Sequence, residues 1–162
     1  MSNTTEDFLV ISSNDRDTTA YPKVCQYSIN LDKKFRKVKT VQLVHSILPK
    51  QGTILSHPYL LLHIEEFKNS LYSNDQNISK CFQILPVNNI VSGYDYINFD
   101  SRKNQESIVY YIPAPKERLQ RLTIKITDLD GNLFDFGAPD GDTTKTYRNT
   151  FMFKIISEAK EF

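Results

Sequence analysis

Apolar and polar residues alternate with a period of two along much of this sequence, and this pattern restricts the fold more than any other feature. The clearest examples are "QYSINL" (residues 26–31), "LTIKIT" (residues 122–127) and "FMFKI" (residues 151–155). Because successive side chains of a β-strand point to opposite faces, such segments form strands with one buried and one wetter face. The other strand candidates are residues 8–12, 38–48, 59–67, 81–85, 96–99 and 107–112. Eight or nine short strands predict an all-β protein, an antiparallel sandwich or barrel.

Helical signal is confined to one segment. "PAPKERLQRL" (residues 113–122) has Pro115 where a first helical turn accepts proline, and Leu119 and Leu122 are three residues apart. This spacing predicts one or two turns of helix. Elsewhere glycine and proline separate the strand candidates, and Asp130-Gly131-Asn132 is typical of a tight turn.

The length and charge of the chain limit the number of domains and the kinds of partner that it can have. A chain of 162 residues fits one domain with a core of its own. We expect "MSNTTED" (residues 1–7), which is polar, to form a flexible N-terminal arm, and residues 8–162 to form the folded domain. No apolar run reaches the length of a membrane span. The 20 Lys and Arg nearly balance the 19 Asp and Glu, which makes a nucleic-acid partner an unfavoured interpretation.

A basic run, "KKFRKVK", occupies residues 33–39. Its cationic members are Lys33, Lys34, Arg36, Lys37 and Lys39. The run is open to two interpretations: a patch that binds phosphate, or a solvated turn that leads into the strand beginning near Val38. The balanced net charge and the lack of an aromatic platform favour the turn.

Residues capable of chemistry are present but form no recognised motif. The acids Asp128, Asp130, Asp135, Asp140 and Asp142 suggest calcium ligands or paired glycosidase carboxylates, or acids that bind backbone amides in turns. The spacing does not fit the EF-hand pattern, so we favour turns. The histidines His45, His57 and His63 have no metal-binding spacing, and neither Cys25 nor Cys81 lies in a nucleophile motif. We therefore predict no catalytic, cofactor-binding or metal site, and a protein that is not an enzyme.

Aromatic residues are concentrated in "SGYDYINF" (residues 92–99) and "SIVYYIP" (residues 107–113). Exposed rings at Tyr94, Tyr96, Tyr110 or Tyr111 would suit a carbohydrate-binding or receptor-binding module. The same residues suit a sandwich core together with a protein interface, and this interpretation is favoured.

Two segments resemble a known family. They are "FLVISSNDRDTTAYPKVCQYSINLDKKFRKVKTVQLVHSILP", and "LQRLTIKITDLDGNLFDFG" followed by "NTFMFKI". Both are similar to the penton (vertex) and minor capsid proteins of virophages and large DNA viruses, which are single jelly rolls. The positions that carry the resemblance are Asp15, Arg16, Tyr21, Pro22, Tyr27, Val38, Val41, Leu43, Pro49 and the Asp130-Gly131 turn. Asn14 departs from the family pattern, and residues 68–107 do not align with it.

The resemblance implies a structural role. It implies a single jelly-roll capsid domain that assembles as a homopentamer at the fivefold vertex of the virion, beside the major capsid protein. The protein would be made in the host cytoplasm or a viral factory. The alternatives are a minor capsid or cement protein between capsomers, and the carbohydrate-binding or receptor-binding module.

The resemblance also implies which residues lie in turns or at subunit interfaces. These are Asp15, Arg16, Asp17, Tyr21, Asp130, Asn132, Asp135 and Arg148. The N-terminal arm, the loop after Lys68 and the loops of "LDGNLFDFGAPDGD" (residues 129–142) are expected to contribute as well. We expect Asp15 and Asp17 to accept hydrogen bonds in a turn. We expect Arg16 to pair locally or with a neighbouring subunit. Replacing Arg16 by alanine should then weaken ring formation more than folding.

Overall fold

A computed structural model describes residues 3–67, 71–87, 95–100, 109–116 and 118–159, and describes residues 109–116 by their backbone alone. Every strand candidate identified in the sequence lies in or overlaps a strand. The strands are β1 (Thr4–Ser12), β2 (Gln26–Phe35), β3 (Val38–Pro49), β4 (Tyr59–Ile64), β5 (Gln83–Pro86), β6 (Tyr96–Asp100), β7 (Val109–Lys116), β8 (Leu119–Thr127) and β9 (Thr150–Glu158). One short helix, α1 (Gln76–Ser79), and three single 3-10 turns complete the described secondary structure.

The strands form two antiparallel sheets whose order is that of a jelly roll. One sheet has the order β1-β9-β3-β6 and the other the order β2-β8-β4-β5. Strand β7 also pairs with β3, opposite residues 38–42, whereas β6 pairs with residues 45–49 of β3. The first four strands alternate between the sheets, β5 pairs with β4, and β6 returns to the first sheet. Strand β8 lies between β2 and β4, and β9 lies between β1 and β3. The predicted all-β antiparallel sandwich is confirmed.

The core lies between the two sheets and follows from the alternation in the sequence. Phe151, Phe153 and Ile155 of β9 point inward and are fully buried, whereas the residues between them are partly exposed. The ring of Phe153 contacts that of Phe82 edge-on, with 6.1 Å between centroids. Each fully buried side chain of this size contributes about 1.5–3 kcal/mol through removal of apolar surface from water.

The helical prediction for residues 113–122 is wrong. Strands β7 and β8 run through most of this segment. Prolines suit a strand at the edge of a sheet, where a missing N–H interrupts no ladder. Leu119 and Leu122 are both buried although they are three residues apart, because the pairing of β8 with β2 shifts register between them.

The prediction of a flexible arm is wrong for residues 4–7, because β1 begins at Thr4. Its pairing with β9 starts at Thr4 opposite Glu158, and the Thr5 and Ser157 hydroxyls lie 3.1 Å apart. The segment is polar because residues 4–6 of this outer strand are exposed.

The basic run spans the end of β2, the turn at residues 36–37 and the start of β3. Phe35 and Val38 are buried, and Lys37 adopts a positive φ of 48°. Lys37 and Lys39 both lie within ion-pair distance of Glu158, at 3.0 and 3.6 Å. The favoured interpretation of the run as a turn therefore agrees with the structure.

Within the described residues, no helix has the length and apolar character needed to span a bilayer.

Candidate functional site

Three connections come together at one end of the sandwich, and we call them the loop end. They are residues 13–25, 50–58 and 128–149. The Gly141 amide donates to the Pro22 carbonyl at 2.9 Å, which joins the first connection to the third. The ring of His57 contacts that of Phe134 edge-on at 5.4 Å, which joins the second to the third. All eight residues predicted as interface or turn residues lie in the first and third connections. Residues 68–70, which begin the predicted loop after Lys68, lie outside the described residues.

Arg16 joins the first and third connections of the loop end. Its residue surface is only 4% exposed, and its guanidinium donates to four backbone carbonyls. Nε donates to Tyr21 at 2.9 Å and Nη1 to Ser13 at 3.0 Å. Nη2 donates to Pro22 at 3.0 Å and to Asp142 at 2.8 Å. Only the planar guanidinium presents enough donors in a fixed fork to satisfy four carbonyls at once.

This arrangement decides between the two predicted roles of Arg16. The burial of the side chain leaves it almost no surface for a neighbouring subunit, so Arg16 pairs locally. Burial lowers the pKa of Arg16, and the nearby Asp142 carboxylate partly opposes that shift. Because the side chain organises the subunit itself, the structure leads us to expect a larger effect of alanine on folding than on ring formation, the reverse of the sequence-based expectation.

Asn149 is a second buried polar centre, and the sequence analysis missed it. The residue is fully buried, directly before β9. The Tyr27 hydroxyl donates to its Oδ1 at 2.6 Å, and its Nδ2 donates to the Val24 carbonyl at 2.8 Å. Its backbone exchanges hydrogen bonds with Ser13. A single asparagine before a strand gives no sequence signal that distinguishes it from an ordinary loop residue.

The carboxylates of the loop end mostly bind backbone amides of their own turns. Asp17 accepts from the Thr19 and Ala20 amides at 2.9 and 3.2 Å, as predicted for a turn acceptor. Asp15 is exposed and accepts from the Asn14 side chain at 3.3 Å.

The third connection repeats this pattern. Asp128 accepts from the amides of Asp130 and Asn132, and Asp135 accepts from that of Gly137. Asp142 accepts from the Thr144 amide, and this hydrogen bonding lowers the pKa of the Asp142 carboxyl. The favoured interpretation as turn acceptors agrees with the structure for Asp128, Asp135 and Asp142, whereas Asp140 forms an ion pair with Lys23 at 2.8 Å. No group of three or more His, Cys, Asp or Glu is placed to hold a metal in the described part of the chain.

The remaining predicted residues tie the connections together. Nη2 of Arg148 donates to Asn14 Oδ1 at 2.8 Å and to the Thr143 carbonyl at 3.2 Å. Tyr21 is half-buried against the core and supplies one of the carbonyls bound by Arg16. The loop end is therefore a cross-linked surface rather than a set of independent loops.

Exposed apolar side chains accompany this rigid surface. Leu55 is 54% exposed and Leu133 is 44% exposed, in two connections that pack together. Tyr96 is 41% exposed and begins β6, beside Pro49 at the end of β3. The side chains of Tyr94, Tyr110 and Tyr111, which the carbohydrate interpretation also needs, lie outside the described residues. Exposed apolar groups on a stiff surface suit contact with another protein.

Gly52 allows the second connection to approach the third. Its φ is +63°, and a Cβ atom there would lie 2.6 Å from the Asp135 carbonyl oxygen. We expect Gly52→Ala to lower the free energy of unfolding by about 2 kcal/mol, from backbone strain and the clash together. Gly137→Ala is the matched control, because Gly137 has a φ of +79° with nothing within 4 Å of a Cβ. Urea denaturation of both variants measures the difference, and equal losses would show that the close approach is not tight.

The two cysteines are buried and form no disulfide. Burial raises the pKa of both thiols, that of Cys81 to about 11. We expect negligible reaction of the native protein with a thiol reagent at pH 8 and complete reaction of two thiols in urea. Burial of Cys81 as the neutral thiol also makes stability depend on pH. Because the pKa of Cys81 is raised in the folded state, the contribution of this thiol to the free energy of unfolding is present below pH 9 and is lost as the pH rises through about 11. Rapid labelling of the native protein would contradict this burial.

The three histidines lie apart and have separate partners. Nε2 of His63 lies 2.8 Å from the Thr127 hydroxyl, and burial lowers the pKa of this imidazole. Nδ1 of His45 lies 3.8 Å from an Asp100 oxygen, and His57 packs on Phe134. These contacts are structural.

No protein-family model matches the chain. The chain is 26% identical over 138 residues to "Penton capsid protein P1" of Paramecium bursaria Chlorella virus 1. The aligned region covers 85% of this chain and 79% of that protein. This chain resembles a viral capsid protein. The likeness supports a structural role, and it extends beyond the two segments from which the sequence resemblance was drawn.

Proposed function

We propose that this protein is a penton: a structural capsid protein that forms a homopentamer at the fivefold vertex of a virion. The observation that carries the proposal is the likeness to the penton capsid protein over most of both chains. The jelly-roll strand order and the cross-linked loop end support it, because both make the subunit a stiff building unit.

The mechanism is mechanical. Five identical subunits close into a ring through one head-to-tail contact, in which two different surfaces of the subunit meet. A contact of standard size buries about 800 Å² on each partner. Exposed side chains of the second and third connections supply part of this surface, namely Leu55, Asp130, Asn132, Leu133 and Asp135. Arg16 acts indirectly, by holding the connections in place.

The proposal includes the partners and the location of the protein. Its partners are further copies of the same chain and the neighbouring major capsid protein, and its site is the virion after synthesis in the host cytoplasm or a viral factory. It requires no enzyme activity and no cofactor. A minor capsid protein between capsomers is the alternative with the same fold.

Electron microscopy of negatively stained purified protein tests the proposal. We expect class averages with fivefold symmetry and five equal lobes around a central axis. Separate single-lobed particles at every concentration would refute self-assembly into a penton and favour the minor capsid alternative.

A further inference from the structure

A groove runs along one open side of the sandwich, between β1 and β2. We call it the seam, and its cavity volume is about 630 Å³. β1 and β2 are the outermost strands of their respective sheets, so the two strands face each other without pairing. An ion pair between Lys33 and Asp7, at 2.7 Å, bridges the two walls.

The two walls differ in how their strand edges are protected. The pairing of β2 shifts register between Asn30 and Phe35, and this irregular stretch carries the exposed Lys33 and Lys34. Bulges and lysines are the usual means of preventing an edge strand from pairing with another chain. β1, in contrast, pairs with β9 in unbroken register over nine residues. Its opposite edge has no neighbour among the described strands, and it contains no lysine, proline or bulge.

Apolar side chains line the exposed edge of β1. On the outer face of the sheet, Phe8 is 59% exposed and Val10 is 55% exposed. On the inner side, Leu9 and Ile29 are only partly buried and lie in the wall of the groove. A strand added beside β1 would cover apolar groups on both of its faces.

The charges of the seam indicate the chemistry of that strand. Four aspartates line the groove, Asp7, Asp15, Asp17 and Asp32, against the single cation Lys33. Lysine side chains from an added strand would lay their apolar stems over Leu9 and Ile29 and direct their ammonium groups to these acids. The excess of carboxylates excludes a phosphate backbone as occupant. It also disfavours β1 of a second copy as occupant, because that strand carries Glu6 and Asp7 and no cation to pair with the acids of the groove.

We propose that the seam binds an extended segment of a different protein, which adds to the edge of β1 and alternates basic with apolar side chains. Its apolar residues lie beside Phe8 and Val10, and its basic residues lie in the acidic groove. Strand addition of this kind gives affinity through main-chain hydrogen bonds and specificity through alternate side chains. The inference does not depend on the number of copies in the ring.

A fluorescein-labelled peptide of alternating lysine and valine, seven residues long, is the probe. Its binding to the full chain is measured by fluorescence anisotropy, against a peptide of alternating glutamate and valine. We expect saturable binding of the lysine peptide and none of the glutamate peptide. The double variant Asp15→Asn/Asp32→Asn should weaken binding about three- to tenfold, since each exposed charge pair contributes modestly. The matched control Glu65→Gln/Asp95→Asn removes two exposed acids outside the seam and should leave binding unchanged.

A lysine peptide with alternate backbone amides methylated separates strand addition from simple charge attraction. Methylation preserves the charge but removes the donors that pair with β1, so binding should fall more than tenfold. Equal binding of the methylated peptide, or equal loss in the two double variants, would overturn the proposal. Neither result depends on ring formation, because the mass of the assembly is measured separately.

Discussion

Replacing Arg16 by alanine is expected to lower the free energy of unfolding by about 4 kcal/mol, the largest effect of any single change at the loop end. The substitution removes hydrogen bonds from a charged donor to four carbonyls, those of Ser13, Tyr21, Pro22 and Asp142. Three of these carbonyls belong to the first connection and one to the third. Their common partner is lost, so both connections lose order together.

Two further arginine variants make this prediction specific. Arg16→Lys retains the charge but not the planar fork, so its loss of stability should be intermediate. Arg121→Ala is the surface control, because that side chain is 61% exposed and its ion pair with Glu66 is long, at 3.9 Å. It should change the free energy of unfolding by less than about 0.5 kcal/mol. Urea denaturation followed by circular dichroism measures all three, and a stable Arg16→Ala subunit that only fails to assemble would contradict the structural role.

Replacing Asn149 by alanine is expected to lower the free energy of unfolding by about 3 kcal/mol. The change leaves the Tyr27 hydroxyl and the Val24 carbonyl without their partner in a fully buried site. An unsatisfied buried polar group costs more than the hydrogen bond itself contributed, because it has lost water as well.

A double-mutant cycle tests that explanation. If the stranded Tyr27 hydroxyl causes part of the loss, adding Tyr27→Phe to Asn149→Ala should restore about 1 kcal/mol, since both polar partners are then absent. Tyr27→Phe alone should destabilise, because it leaves Oδ1 of Asn149 unsatisfied. Strictly additive losses in urea denaturation would show that the hydrogen bond between Tyr27 and Asn149 is not the source of the effect.

The strands could be predicted because their signal is local. Alternation in segments such as residues 26–31 and 151–155 records which face is buried, and a two-residue period needs no knowledge of the partner strand. Segments at the edges of the sheets were harder to interpret. Residues 4–7 look like a free arm because their side chains are exposed, and residues 113–116 look helical because an edge strand tolerates proline.

The candidate site could be located by resemblance but not understood from the sequence. Asp17 behaves as a turn acceptor because its partners, Thr19 and Ala20, are its neighbours in the chain. The choice between local and intersubunit pairing of Arg16 could not be made from the sequence, because one of its acceptors, Asp142, is 126 residues away and because arginines are rarely buried. Asn149 was missed for the same reason, since Tyr27 and Val24 meet it only after the sheets have formed.

The central claim, that the chain builds a closed ring, is tested most directly by the solution mass of the purified protein. Multi-angle light scattering over a series of protein and salt concentrations gives this mass without reference to shape. The account predicts a discrete species with five times the 18.8 kDa mass of the chain. A monomer at all concentrations, or a discrete assembly of another number of copies, would contradict it.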